Sequence, residues 1–209
     1  MKKKRSISSH RWLSEHFNDQ YVKSTHSQHL RARSWFKLHD IHVKYNLFKH
    51  GMNVIDLGSS PGSWSQYAIN AVGKHGSVIS CDINSMKKIQ GVFFLQGDIS
   101  NKIILNTLFN YIKHKKINLV MSDMSPKITG ISYIDIPSAF FLSNLAFEIT
   151  KSILSKKGIF LVKLFQGEGF QNYLKNIRSF FNIVKICKPN ASRNRSREVF
   201  LLAMERKKI

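Results

Sequence analysis

The spacing of apolar positions changes several times along the chain, and each change marks an element. Between residues 31 and 48, Ala32, Trp35, Phe36, Ile41 and Val43 recur at helical spacing, which predicts a helix over about 33–45. Asn53–Leu57 is a short apolar run ending at a glycine, as a strand would. Helix and strand signals follow in turn: a helix over 63–72, strands over 77–82 and 92–95, a helix over 101–114 and a strand over 117–122. A long helix is then predicted over 137–156, with Pro137 at its start and Gly158 as its C-cap. A buried strand over 159–164 and a helix over 168–180 come next, and the tail reads as two strands, 182–188 and 198–204. This order predicts an α/β fold, a largely parallel sheet ending in an antiparallel pair. The first 30 residues are polar, with His10, His16, His26 and His29 scattered among Ser and Gln. They are expected to form a mobile arm, 1–30, ahead of one domain spanning 31–209. The histidine spacing fits no tight metal site.

Composition narrows the class. With 209 residues, 43% apolar and 11% aromatic, the chain has material for one buried core and is not disordered. No run of about 18 apolar residues occurs, so no membrane span is expected. The basic start, Met1 to Arg5, lacks the apolar stretch of a secretory signal. Cys81 and Cys187 are the only cysteines and fall in no CxxC pair, which argues for a reducing cytoplasm and against a structural metal. The net charge of +21 points to a polyanionic partner. Lysine outnumbers arginine 24 to 9, as codon bias in an A+T-rich genome would give. Bias, however, should load the chain evenly. Residues 1–50 carry +8, residues 51–150 only +2, and residues 151–209 carry +11. A nearly neutral middle between basic flanks suggests a binding surface built from both ends, with Lys2–Arg5 as a loose electrostatic arm.

The candidate chemistry sits at the strand ends. Asp56-Leu57-Gly58-Ser59-Ser60-Pro61-Gly62-Ser63-Trp64 joins the first strand to its helix. Glycines there allow close backbone approach to a ligand. The loop is not G-x-G-x-x-G, and Pro61 removes an amide, so a nucleotide-like ligand without a pyrophosphate fits better than a dinucleotide. Asp82 ends the next strand, about 20 residues on, where a ribose-binding acid is usual. Asp98 follows the third strand and Asp123 the fourth. With Asp56, these acids are expected to converge on the crevice at the carboxyl ends of a parallel sheet. Lys163 interrupts an apolar strand, where a buried lysine needs partners. Glu198 follows the run Arg193-Asn194-Arg195-Ser196-Arg197, and Lys37 lies on the helix over 33–45. By themselves these residues are compatible with an enzyme using a nucleotide-like ligand, a non-catalytic RNA-binding assembly factor or, less well, a nicotinamide-dependent oxidoreductase.

Taken together the motifs carry a resemblance. Arg31-Ala32-Arg33-Ser34-Trp35-Phe36-Lys37-Leu38, Asp56-Leu57-Gly58, Pro61-Gly62, Trp64-Ser65-Gln66-Tyr67, Ser122-Asp123-Met124, Val162-Lys163-Leu164-Phe165-Gln166-Gly167-Glu168-Gly169-Phe170 and Ser196-Arg197-Glu198-Val199 closely resemble the FtsJ/RrmJ family of S-adenosylmethionine-dependent RNA 2′-O-methyltransferases. The likeness runs from about residue 25 to 205. It departs at Ser59-Ser60-Pro61-Gly62-Ser63, where relatives more often carry alanines and a second glycine. It implies a Rossmann-like class I methyltransferase fold, a mostly parallel seven-stranded sheet with one antiparallel strand and helices on both faces. It further implies a catalytic tetrad of Lys37, Asp123, Lys163 and Glu198, with Lys163 as proton acceptor. S-adenosylmethionine would be held by Gly62, Trp64, Asp82, Asp98 and Asp123. The likeness is nearest to bacterial members acting on a uridine of large-subunit (23S) rRNA, in the assembled 50S subunit; tRNA is the alternative substrate. Arg31, Arg33, Arg193, Arg195 and Arg197 are the expected RNA contacts. Neither a metal nor a membrane is expected to take part, and the chain is expected to act as a monomer.

Overall fold

The computed structural model describes residues 19–193 and 195–207. The Lys2–Arg5 run, His10 and His16 lie outside the described residues. Among the described residues, seven strands form one sheet: β1 (Asn53–Leu57), β2 (Ser77–Asp82), β3 (Val92–Gln96), β4 (Ile117–Ser122), β5 (Leu154–Phe165), β6 (Phe181–Cys187) and β7 (Glu198–Arg206). Their order is β3-β2-β1-β4-β5-β7-β6. β3, β2, β1, β4 and β5 run parallel, and β7 lies antiparallel between β5 and β6. This matches the expected mostly parallel sheet with one antiparallel strand.

Among the described residues, six helices accompany the strands: α1 (Gln20–Ser27), α2 (Ser34–Tyr45), α3 (Ser63–Val72), α4 (Lys102–Ile112), α5 (Ser132–Ile153) and α6 (Phe170–Phe180). Alternation along the buried strands divides the core in two. Val54, Val78, Leu119, Met121, Leu161, Phe200 and Leu202 pack with Leu38 and Ile41 of α2 and Trp64 and Ala68 of α3. Ile55, Ile79, Val120, Phe160, Val162 and Leu201 face the other way, against α4, α5 and α6. Leu164 and Lys163 are neighbours on β5, so the strand buries leucine under one helical layer and presents lysine to the other.

Three expectations are corrected. The stretch assigned to a mobile arm contains α1, whose Val22 and Thr25 are buried and whose Tyr21 ring sits 5.2 Å from that of Phe36. Asp19, just before α1, pairs with Arg33, a long-range partner that polar composition could not reveal. The long helix begins at Ser132 rather than at Pro137, which lies inside it. Asp135 makes the earlier start possible, accepting hydrogen bonds from the amides of Thr129 and Gly130 at 2.8 and 2.9 Å and fixing the preceding turn. Gly158 is a strand residue, not a C-cap. A β-carbon there would lie 2.5 Å from Leu154, so glycine lets the chain fold back where the β4–β5 register shifts.

Candidate active site

The sheet register builds the site. β4 and β5 pair in parallel up to Ser122 opposite Val162, so the next residues, Asp123 and Lys163, emerge side by side. The Lys163 Nζ donates to the Asp123 carbonyl at 2.7 Å and stands 2.9 Å from its Oδ1, off the hydrogen-bond axis. On the other side of β5, Lys163 is directly opposite Phe200 of β7, and Phe165 is opposite Glu198. Period-two alternation therefore puts Lys163, Glu198 and Phe200 on one face, with Lys163 and Glu198 as diagonal neighbours about 7–8 Å apart at the backbone. Lys37 descends from α2 onto the same spot. Its Nζ donates to Glu198 Oε1 at 2.6 Å and lies 5.8 Å above the Phe200 ring. All four expected tetrad residues are thus brought together as two ion pairs.

Lys163 and Glu198 are only 7% and 8% exposed, so each charge depends on its partner. Sequence reasoning missed two supports. Ser192 donates its hydroxyl to Glu198 Oε1 at 3.1 Å, and Phe200 is a floor shared by Lys37 and Lys163. Phe200 was detectable by stepping two residues from Glu198 along a strand. Ser192 gives no such signal, because it arrives from the irregular segment between β6 and β7.

A cleft of about 240 Å³ opens beside this group, between the ends of β1, β2 and β4. Asp82, Asp98 and Asp123 line it with Ile83, Ile99, Met124 and Leu142. Asp82 shapes the cleft as well as lining it: Oδ2 accepts from the Ser60 amide at 2.9 Å and Oδ1 from the Asn84 amide at 2.7 Å. Ser100, through its hydroxyl and amide, holds the Asp98 carboxyl below the usual carboxylate range. Gly58, at φ +75°, lets the chain pass Met124 where a β-carbon would lie 2.7 Å from its Cα. Carboxylates among apolar walls suit a ligand with a flat apolar base, vicinal hydroxyls and a positive charge. Among the described residues, no group of three or more His, Cys, Asp or Glu could hold a metal ion, and no helix is long and apolar enough to cross a membrane.

Five expected site residues have other places. Asp56 does not reach the cleft; it is fully buried under α3, where Ser65 donates to its Oδ2 at 2.6 Å. The Trp64 side chain is 2% exposed, donates its indole N–H to the Ser34 carbonyl at 2.9 Å and packs on Phe200. Gly62, at φ +104°, is crowded by Met86, Ile89 and Arg31 rather than opened to the cleft. Arg31 donates to the carbonyls of Pro61, Lys87 and Lys88 at 2.9, 2.7 and 3.0 Å, tying the glycine loop to the segment after β2. Arg33 is committed to Asp19 and the Ala191 carbonyl. These guanidiniums thus clasp parts of the chain together, a role their assignment as RNA contacts did not include. Arg195 and Arg197 are exposed and Arg193 half-buried in the segment before Glu198, with Arg197 3.4 Å from the Ser132 hydroxyl.

Burial is the main cause that pushes the Asp56 carboxyl up to about 7, opposed by Ser65 and reinforced by Asp123 and Asp82. The folded state therefore binds this proton more tightly than the unfolded chain, where a carboxyl titrates near ~3.9. Stability should fall as pH rises from about 4 to about 7 and then level, by at most about 4 kcal/mol from this group. Asp56→Asn should flatten that part of the profile in thermal melts. A wild-type-like slope in the variant would assign it to other groups.

The comparisons agree with this geometry. The sequence profile described as FtsJ-like methyltransferase matches residues 30–206. The ribosomal RNA large subunit methyltransferase E of Buchnera aphidicola subsp. Schizaphis graminum is 54% identical over 201 residues, 96% of this chain and 98% of the relative. Among solved structures, a Plasmodium falciparum protein provisionally described as a ribosomal RNA methyltransferase superposes with a TM-score of 0.76 at 24% identity, over 84% of this chain and 98% of its own. A Clostridium thermocellum protein provisionally described as an rRNA methylase gives 0.54 at 18%, over 82% and 97%. These two speak for the fold alone; the profile and the close relative go further, and the chain belongs to the FtsJ-like methyltransferase family.

Proposed function

We propose that this protein transfers a methyl group from S-adenosylmethionine to the 2′-hydroxyl of a uridine in 23S rRNA, within the assembled 50S subunit. The observation that carries the reading is the meeting of Lys37, Asp123, Lys163 and Glu198 beside an acid-lined cleft. The substrate assignment rests on the relative that is 54% identical.

Asp82 and Asp98 would hold the donor's hydroxyls and exocyclic amine, with the apolar walls of the cleft against its base and Asp123 toward its charged end. Bound there, the donor supplies an electrophilic methyl on a sulfonium, so the protein's remaining tasks are alignment and proton removal. Lys163, in its neutral form, would take the 2′-hydroxyl proton as the oxygen takes the methyl and the donor's S–CH3 bond breaks, leaving a neutral thioether. The resulting ammonium is stabilised by Asp123, whose Oδ1 lies 2.9 Å from the Lys163 Nζ. Glu198 fixes Lys37 over Phe200, which places a second cation beside the reacting ribose without occupying Lys163. Arg193, Arg195 and Arg197 border Glu198 and would grip phosphates of the RNA. Methyl transfer to large subunits from cells lacking the gene, followed by mapping of 2′-O-methyl positions, tests the reading. One new methylated uridine in 23S rRNA is expected; no transfer to the subunits, with transfer to tRNA from the same cells in a parallel assay, would replace it.

Arg31 has a different role. A lysine cannot serve three carbonyls in a fixed fork. Arg31→Lys should raise the KM for the donor about tenfold, the loss of one or two charge-assisted bonds. The salt dependence of RNA binding should stay unchanged. A shallower salt slope with the donor KM unaltered would return Arg31 to the RNA surface.

A further inference from the structure

Half of the large apolar side chains exposed among the described residues fall in one stretch. Ile128, Ile131, Tyr133, Ile134 and Phe141 lie between residues 128 and 141, with Tyr133 80% and Phe141 63% exposed. Tyr133 and Phe141 line a groove of about 780 Å³ between α5 and α6. A patch of this kind marks a binding surface rather than ordinary surface scatter. The tetrad and the donor cleft do not use it.

Two features say what occupies it. The first is continuity. A smaller recess formed by Phe165, Arg197, Ile128 and Asp135 shares Ser132 and Ile136 with the groove. Phe165 is two residues from Lys163 on β5, and Arg197 directly precedes Glu198. An RNA chain with its ribose at the tetrad therefore reaches the groove by passing Arg197. The second is chemistry. Tyr133 and Phe141 offer aromatic faces, and Asn144, Asn172 and Asn176 place amides around them. Aromatic faces beside side-chain amides are what unpaired bases use, stacking on the first and pairing their edges with the second. Glu168 also lines the groove, and exposed Lys175 lies three residues along α6 from Asn172.

We propose that the α5–α6 groove holds an unstacked base of the RNA substrate, close along the strand to the methylated nucleotide. This rests on the tetrad being the methyl-transfer site. It adds a base-reading subsite to a face otherwise supplied with phosphate contacts.

The test compares an unstructured oligouridylate with an abasic ribose-phosphate oligomer of the same length. Both substituted side chains are exposed, so Tyr133→Ala/Phe141→Ala should leave the core intact. The wild type should bind oligouridylate about tenfold more tightly than the abasic oligomer, the order expected of base–aromatic stacking. The double variant should bind the two alike, with an unchanged salt slope, because no phosphate contact is removed. A double variant that still favours the oligouridylate overturns the proposal. So does one that binds both oligomers normally but methylates 50S subunits poorly, which would make the groove a protein contact. Lys163→Ala measured in parallel keeps the two readings apart. It should retain oligomer preference, and normal turnover in that variant would sink the tetrad reading while leaving the base preference to be judged separately.

Discussion

Lys163→Ala should lower kcat about a thousandfold, in the range a positioned general base contributes. Donor binding should survive, since Lys163 does not line the acid-walled cleft. The alanine variant also leaves Asp123 without its cation, and breaking a buried pair can destabilise by about 3–5 kcal/mol. Lys163→Arg separates the effects. Arginine can keep a cation beside Asp123 but cannot give up its proton in a protein. A folded, donor-binding and inactive arginine variant identifies proton acceptance as the role. An arginine variant within about tenfold of wild type would reduce Lys163 to orienting the hydroxyl while water accepts the proton.

Asp82→Ala should raise the KM for the donor by about tenfold to a hundredfold, the range for losing a hydrogen bond to a charged group. At saturating donor, kcat should change little, because the tetrad residues do not include Asp82. The side chain acts twice, lining the cleft and holding the amides of Ser60 and Asn84. Asp82→Asn keeps an acceptor for one of those amides and loses the charge, so it should fall between wild type and alanine. An unchanged donor KM in the alanine variant would place the donor elsewhere.

The sheet was legible in the apolar runs and the tetrad in the resemblance its motifs carry, whereas the supports around them were not. Strands β1, β2 and β4 were visible as apolar runs because both of their faces are buried, and β3 by its apolar run alone, since at the sheet edge it is only half-buried. Asp82 and Asp123 were visible because the carboxyl ends of parallel strands are where such acids meet. Lys163 stood out because a cation inside the run Phe160 to Leu164 demands a partner. Two of the failures come from contacts between residues far apart in sequence, and two from nearer partners that periodicity does not reveal. Nothing near Arg31 announces that it will clasp the carbonyls of Pro61, Lys87 and Lys88, so it looked like an RNA contact. Nothing near Trp64 shows that its indole will bind Ser34 and turn inward. Asp56 shares the strand-end position of Asp82, yet Ser65 on the following helix draws it under the sheet's helical layer. The start of α5 was misplaced because proline favours a first turn, whereas Asp135 secures a turn five residues earlier.

The most direct test of methyl transfer through the Lys163 tetrad is a map of 2′-O-methylation in 23S rRNA. It should be made from cells lacking the gene and complemented with either the wild-type chain or Lys163→Ala. One uridine should be methylated with the wild type and unmethylated with the variant at equal protein levels. Methylation of that uridine by the Lys163→Ala protein would contradict the mechanism.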